Sequence, residues 1–109
     1  ERFCAMAPDD PAIAEASGHA DLIINATSLG LRSIDAMPIH SGCVQPHHLV
    51  YDMIYNPAST ALLSHAKSVG ARTANGFSML LHQGVLAYEC WFSGKSPLEE
   101  MRKGLASTL

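Results

Sequence analysis

Two short apolar runs, residues 21–26 (DLIINA) and 49–54 (LVYDMI), constrain this chain more than any other feature, because each is closed by a polar turn instead of continuing. A surface helix needs a longer stretch with one polar face, whereas a strand covered on both sides in a parallel sheet reads as nearly continuous apolar sequence. The two runs are therefore expected to be neighbouring strands of a parallel sheet. The segment between them, 30–48, is a long loop broken by Pro38, Gly42 and Pro46, and long loops are often functional.

The flanking segments supply helices. Thr60 can cap a helix whose stripe is Leu62, Leu63, Ala66 and Val69 and whose stop is Gly70. A short strand over 71–74 follows, completing a strand–helix–strand step. Residues 77–92 are apolar nearly all round (Met79, Leu80, Leu81, Val85, Ala87, Tyr88, Trp91), which predicts a buried helix. Ser96-Pro97-Leu98-Glu99 has the form of a capping box with proline in the first turn, leading a helix with Leu98, Met101 and Leu105 on one side. Upstream, 2–7 could form a strand, and Asp10-Pro11 could start a short helix ending near Gly18. The expected fold is α/β, a partial Rossmann-like, doubly wound parallel sheet with C-terminal helices.

Composition removes several function classes. A net charge of −3 with scattered Lys and Arg provides no basic stripe for nucleic acid. No apolar stretch approaches the ~20 residues needed to cross a bilayer, so no membrane role is expected and the location reads as cytoplasmic. Cys4, Cys43 and Cys90 are odd in number and widely spaced, which suits reduced thiols. The six histidines show no HxxxH or HExxH spacing, so no metal site is expected. Asp35, His47 and His48 read as solvated surface, His82 as solvent-facing, and Cys90 as core packing.

In a parallel sheet the ligand lies outside the carboxyl ends of the strands. Asn25, Ala26 and Thr27 stand at one such end, where Asn25 and Thr27 either meet a ligand or satisfy their own turn. Met53 and Tyr55 stand at the next end, where Met53 by itself reads more simply as core. Gly76 opens a turn into the 77–92 helix, where a flat ligand could approach closely, and a buried Gln83 would need polar partners such as a polyol.

The runs DLIINATSLGL, MPI, VYDMIYNPASTALLSHAKSVG and NGFSMLLHQGVLAYECWFSGKSP, with the spacings NAT-x-x-G, D-x-x-YNP-x-x-T and G-x-x-ML-x-x-Q, resemble the C-terminal half of the shikimate dehydrogenase family over about residues 21 to 101. That resemblance implies NADPH-dependent reduction of 3-dehydroshikimate to shikimate, in aromatic biosynthesis, at a cleft between two domains. Asn25, Ala26, Thr27, Met53, Gly76 and Met79 would then line the cofactor site, and Tyr55 and Gln83 would reach the substrate. No catalytic residue of the family falls in this chain: its proton-transferring Lys and Asp belong to the N-terminal substrate domain, and no Gly-rich phosphate loop is present. NADP as the cofactor is thus an inheritance of the resemblance.

Residues 1–109 are expected to be an incomplete C-terminal cofactor domain, inactive alone. A quinate/shikimate dehydrogenase paralogue fits the same motifs. A second class of reading is a non-catalytic remnant that dimerises or binds a partner, since a sheet without its first strands exposes an edge and an apolar face; a homo-oligomer through that edge is expected.

Overall fold

The computed structural model of the chain describes residues 3–109. Helix α1 (Ile13–Gly18) leads to strand β1 (Leu22–Asn25); a loop with a single 3-10 turn (Ser41–Cys43) then returns to strand β2 (Leu49–Asp52). Helix α2 (Ala61–Ser68) connects β2 to strand β3 (Arg72–Ala74), and helices α3 (Phe77–Trp91) and α4 (Leu98–Thr108) complete the chain. The strands form one parallel sheet in the order β1-β2-β3. Their register pairs Leu22 with Leu49, Asn25 with Asp52 and Tyr51 with Ala74. The Rossmann-like α/β fold read from the sequence is the fold observed.

Alternation along the strands sends Ile23 and Val50 to one face. There Val50 joins Val44, Leu62, Leu63, Ala66 and Ala71 in the core, with Ile23, Ile39 and Val69 packed against it. Helix α2 forms as its sequence dictates. The Thr60 hydroxyl accepts from the Leu63 N–H (3.3 Å), and Gly70, at φ +88°, ends the helix in a conformation that costs glycine little.

The other face departs from expectation. A strand covered on both sides was expected at β1, yet Leu22 and Ile24 are 47% and 55% exposed. The apolar run encodes a strand fit for two covers, and the described residues supply one. Helix α3 has the expected extent but packs chiefly against α4, so Leu81 alone among its residues is buried and Trp91 is 77% exposed. Gln83 and Cys90 are exposed as well, contrary to the burial expected of both, because among the described residues no layer lies over that helix.

Three local expectations also change. Residues 3–7 form no strand, while Arg2 lies outside the described residues. Asp10 accepts from the Ala12 N–H (2.9 Å), closing a turn ahead of α1, so the helix opens at Ile13. The capping box at Ser96 is not made: the Ser96 N–H and hydroxyl both donate to Glu89 Oε1 (3.4 and 3.2 Å), and α4 starts after Pro97 with no side-chain cap. A carboxylate on the preceding helix outcompetes the local N-terminus for that serine.

The long loop between β1 and β2 is fastened at both ends. Near its end, His48 is fully buried, not solvated: its Nδ1 accepts from the Gln45 N–H (2.8 Å), which leaves Nε2–H to donate to Ser17 O (2.9 Å). His47 stays exposed, its Nε2 bonded to Ala20 O (3.1 Å). Near the start, Asp35 Oδ2 accepts from the N–H groups of Gly30 (3.1 Å) and Arg32 (3.0 Å), and Oδ1 from Arg32 Nε (3.0 Å). Its side chain is largely covered, so it too is anchoring and not solvated surface.

Candidate functional site

The carboxyl ends of the strands carry three polar residues at one level. Asn25 and Asp52 are register partners, and Asn75 follows Ala74, the partner of Tyr51. Each folds the loop that leaves its strand.

Asn25, nearly fully buried, uses both ends of its amide. Its Nδ2 donates to Leu29 O and to Asp52 Oδ1 (both 3.1 Å), while Oδ1 accepts from the Thr27 N–H (3.0 Å) and hydroxyl (2.7 Å). The Thr27 Oγ1 in turn accepts from the Leu29 N–H (3.1 Å). Asn25 thus satisfies its own turn. What the segment offers to a ligand is the exposed stretch Ala26-Thr27 on a backbone that Asn25 holds in one shape.

Asp52 has no exposed surface. Its Oδ1 accepts from Asn25 and from the Ile54 N–H (3.0 Å), and its Oδ2 from the Thr60 hydroxyl (2.7 Å). The Asp and Thr of the D-x-x-YNP-x-x-T pattern are therefore bonded to each other. Met53 and Tyr55, half-buried, follow directly, ahead of a cis Asn56–Pro57 bond.

Asn75 closes the third loop, its Nδ2 donating to Ala58 O (3.0 Å) and its Oδ1 accepting from the Phe77 N–H (3.1 Å). Gly76 donates its N–H to Ile54 O (3.1 Å), and a Cβ at Gly76 would lie 1.9 Å from Met53 O. The close approach that requires glycine here is that of the Met53 backbone. Gly76 therefore locks the start of α3 onto the residue after β2, bringing Met53 and Gly76 side by side. Met79 is exposed one turn further along, and Gln83 is exposed one turn beyond Met79, with its amide free to meet a ligand.

Of the residues singled out from the sequence, Met53 and Gly76 are in direct contact, and Ala26 and Thr27 stand at the neighbouring strand end. Tyr55 is on the same β2–α2 loop, and Met79 and Gln83 ascend α3 from it. The sequence reading gave Asp52 and Asn75 no role. The usable signal was a polar residue closing an apolar run, followed eight positions later by a helix-capping threonine. Electrostatically, Asp35 is the resolved feature: the Arg32 N–H first, then the Gly30 N–H and the Arg32 side chain, hold its carboxyl below the ordinary 3.8 against the opposing effect of burial.

The edge so built is a shelf of exposed backbone and soft side chains with no nucleophile at its centre. Asn25 and Asp52 are fully committed internally, so neither is free to act as an acid or base, and the shelf can bind and orient a flat group.

Residues 76–105 match the family described as Shikimate 5'-dehydrogenase C-terminal domain. The shikimate dehydrogenase (NADP(+)) of Desulfitobacterium hafniense is 44% identical over 90 residues, covering 83% of this chain and 33% of that protein. Among solved structures, shikimate 5-dehydrogenase of Thermus thermophilus, in complex with NADP(H) and shikimate, superimposes with a TM-score of 0.77 at 29% identity, over 89% of this chain and 37% of that one. The quinate dehydrogenase of Corynebacterium glutamicum, in complex with NAD, gives 0.79 at 29% identity, over 89% and 34%. The chain spans about a third of the length of these relatives. With the polar level at its strand ends and this likeness across most of its length, the chain belongs to the shikimate dehydrogenase family, of which it represents the C-terminal part.

Proposed function

We propose that residues 1–109 form the nicotinamide side of the NADP site in a shikimate dehydrogenase that reduces 3-dehydroshikimate to shikimate in the cytoplasm. The observation that carries this reading is the contact of Gly76 with the Met53 carbonyl, which sets β2's end and α3's start into one wall beside the Ala26-Thr27 shelf. A planar group fits such a wall, since Met53 and Met79 offer polarizable surface and no charge. NADPH, when bound, supplies the hydride. Ala26 and Thr27 flank it, Met53, Gly76 and Met79 form the wall behind it, and the freely exposed Gln83 with Tyr55 orients substrate hydroxyl or carboxylate groups. The family's proton-transferring Lys and Asp belong to its N-terminal substrate domain, so the reading assigns proton transfer there, and the dinucleotide phosphates to the family's Gly-rich loop. Quinate is the alternative substrate within the family, supported by the likeness to quinate dehydrogenase.

An NMR titration of the chain with NADP⁺, beside an assay of shikimate oxidation, tests this. Shifts should gather at Ala26-Thr27, Met53–Tyr55 and Gly76–Gln83, without turnover. Shifts centred elsewhere would displace the site. Turnover by this chain would overturn the assignment of proton transfer to another domain.

A second reading, a non-catalytic unit that self-associates, is supported by the uncovered sheet face at Leu22 and Ile24.

A further inference from the structure

The backbone ladder between β1 and β2 reaches its last rung where the Met53 N–H donates to Asn25 O (3.1 Å). Beyond it the two loops that form the shelf leave the sheet separately. The hydrogen bonds that continue across this gap run through one carboxylate: Asp52 receives Asn25 from the β1 loop, and Ile54 and Thr60 from the β2–α2 loop. Behind it, Gly30 packs so closely that a Cβ there would lie 3.2 Å from both Ile54 and Thr60 side chains.

We infer that Asp52 is the positioning residue of the cofactor shelf, fixing the height of Ala26-Thr27 relative to Met53–Tyr55 without touching a ligand itself. The inference rests on the cofactor reading above. The chemistry favours a carboxylate over its neighbours. Three donors converge on two oxygens, and the Thr60 oxygen is already engaged by the Leu63 N–H, so its proton needs an acceptor. Asparagine keeps the shape and Oδ1 but turns a donor toward Thr60; the second lone pair of the Thr60 oxygen can take that N–H, yet the Thr60 proton then loses the acceptor that Asp52 Oδ2 gives it in this buried site. Charge-assisted bonds of this kind are about twice as strong as neutral ones, and the burial of Asp52 strengthens them further.

The experiment is amide hydrogen exchange on the chain, with an NADP⁺ titration by NMR, for the wild type, Asp52→Asn, Thr60→Val and Thr60→Ser. Asp52→Asn should speed exchange at Thr27 and Leu29 and weaken NADP⁺ binding, each roughly tenfold, with Val50 exchange unchanged. Thr60→Val should reproduce the change at Thr27 and Leu29, to which Thr60 makes no hydrogen bond, and Thr60→Ser should keep wild-type exchange there. A uniform rise that includes Val50 would mark Asp52 as a general stabiliser and overturn the proposal, as would unchanged exchange at Thr27 and Leu29. If Asp52→Asn fails to fold, the Thr60 pair decides by the same criterion. Should NADP⁺ leave the wild-type shelf unshifted, the cofactor reading fails, while the exchange pattern still decides whether Asp52 couples the two loops.

Discussion

A single absent side chain joins the second and third loops of the sheet. At Gly76 any Cβ would overlap the Met53 carbonyl, at 1.9 Å from its oxygen and 2.6 Å from its carbon, and backbone on backbone has no flexible end to yield. Gly76→Ala should therefore destabilise near the upper end of the about 1–3 kcal/mol typical of overpacking, read as a lower denaturation midpoint. Gly104 is the control: inside α4, with nothing within 4 Å of its would-be Cβ, its change to alanine should stabilise by about 0.5–1 kcal/mol. An equal response at both positions would show that helix propensity, not the Met53 contact, governs Gly76. Asp35 allows a second test at this scale. Because its folded value lies below the ordinary 3.8, its contribution is full above that pH and is lost as pH falls through the lower folded value. Protection of the Gly30 and Arg32 amides, after allowance for the intrinsic slowing of exchange in acid, should fall only as pH drops below the ordinary carboxylate range, and Asp35→Asn should remove that step.

Among the elements, those whose partners lie within a few residues were the easiest to read. The Thr60 cap, the Gly70 stop and the strand runs depend on local sequence, and each is found where its pattern places it. Burial was less legible, since it depends on what lies across a face. Helix α3 is apolar around its circumference, yet it meets α4 and little else, so an all-apolar pattern marks a helix made for cover without showing that cover is present. Ser96 fails for a related reason, its partner Glu89 lying seven residues back on another helix. Burial on α3 then ranks two adjacent leucines. Leu81→Ala should cost about 2–5 kcal/mol as a buried leucine, and Leu80→Ala, half-buried, clearly less. Equal shifts in urea midpoint would contradict the observed orientation of the helix.

The whole molecule is longer than its residue count requires. Its radius of gyration is 16.5 Å and its extents are 51 × 35 × 23 Å, whereas a compact chain of this length would have a radius near about 13 Å. Helix α3 packs chiefly on α4, and among the described residues the uncovered face of the sheet carries Leu22 and Ile24 beside the free edge of β1. The candidate shelf was legible from the sequence because it is built at strand ends, which topology alone locates. Asp52's hold on it was not, because Asn25 lies 27 residues away and only the parallel register brings the two together. Among the described residues the strand order leaves β1 with one unpaired side, and unpaired strands with apolar faces associate. In sedimentation velocity the chain should show a weight-average coefficient that rises with concentration. Ile24→Lys, which charges the open face at a side chain that is mostly exposed, should return it to a single concentration-independent species with unchanged far-ultraviolet dichroism. A wild-type chain that sediments as a monomer at every concentration would mean that the exposed face is tolerated in water, and would remove the support for self-association while leaving the cofactor shelf, on the carboxyl edge of the sheet, unaffected.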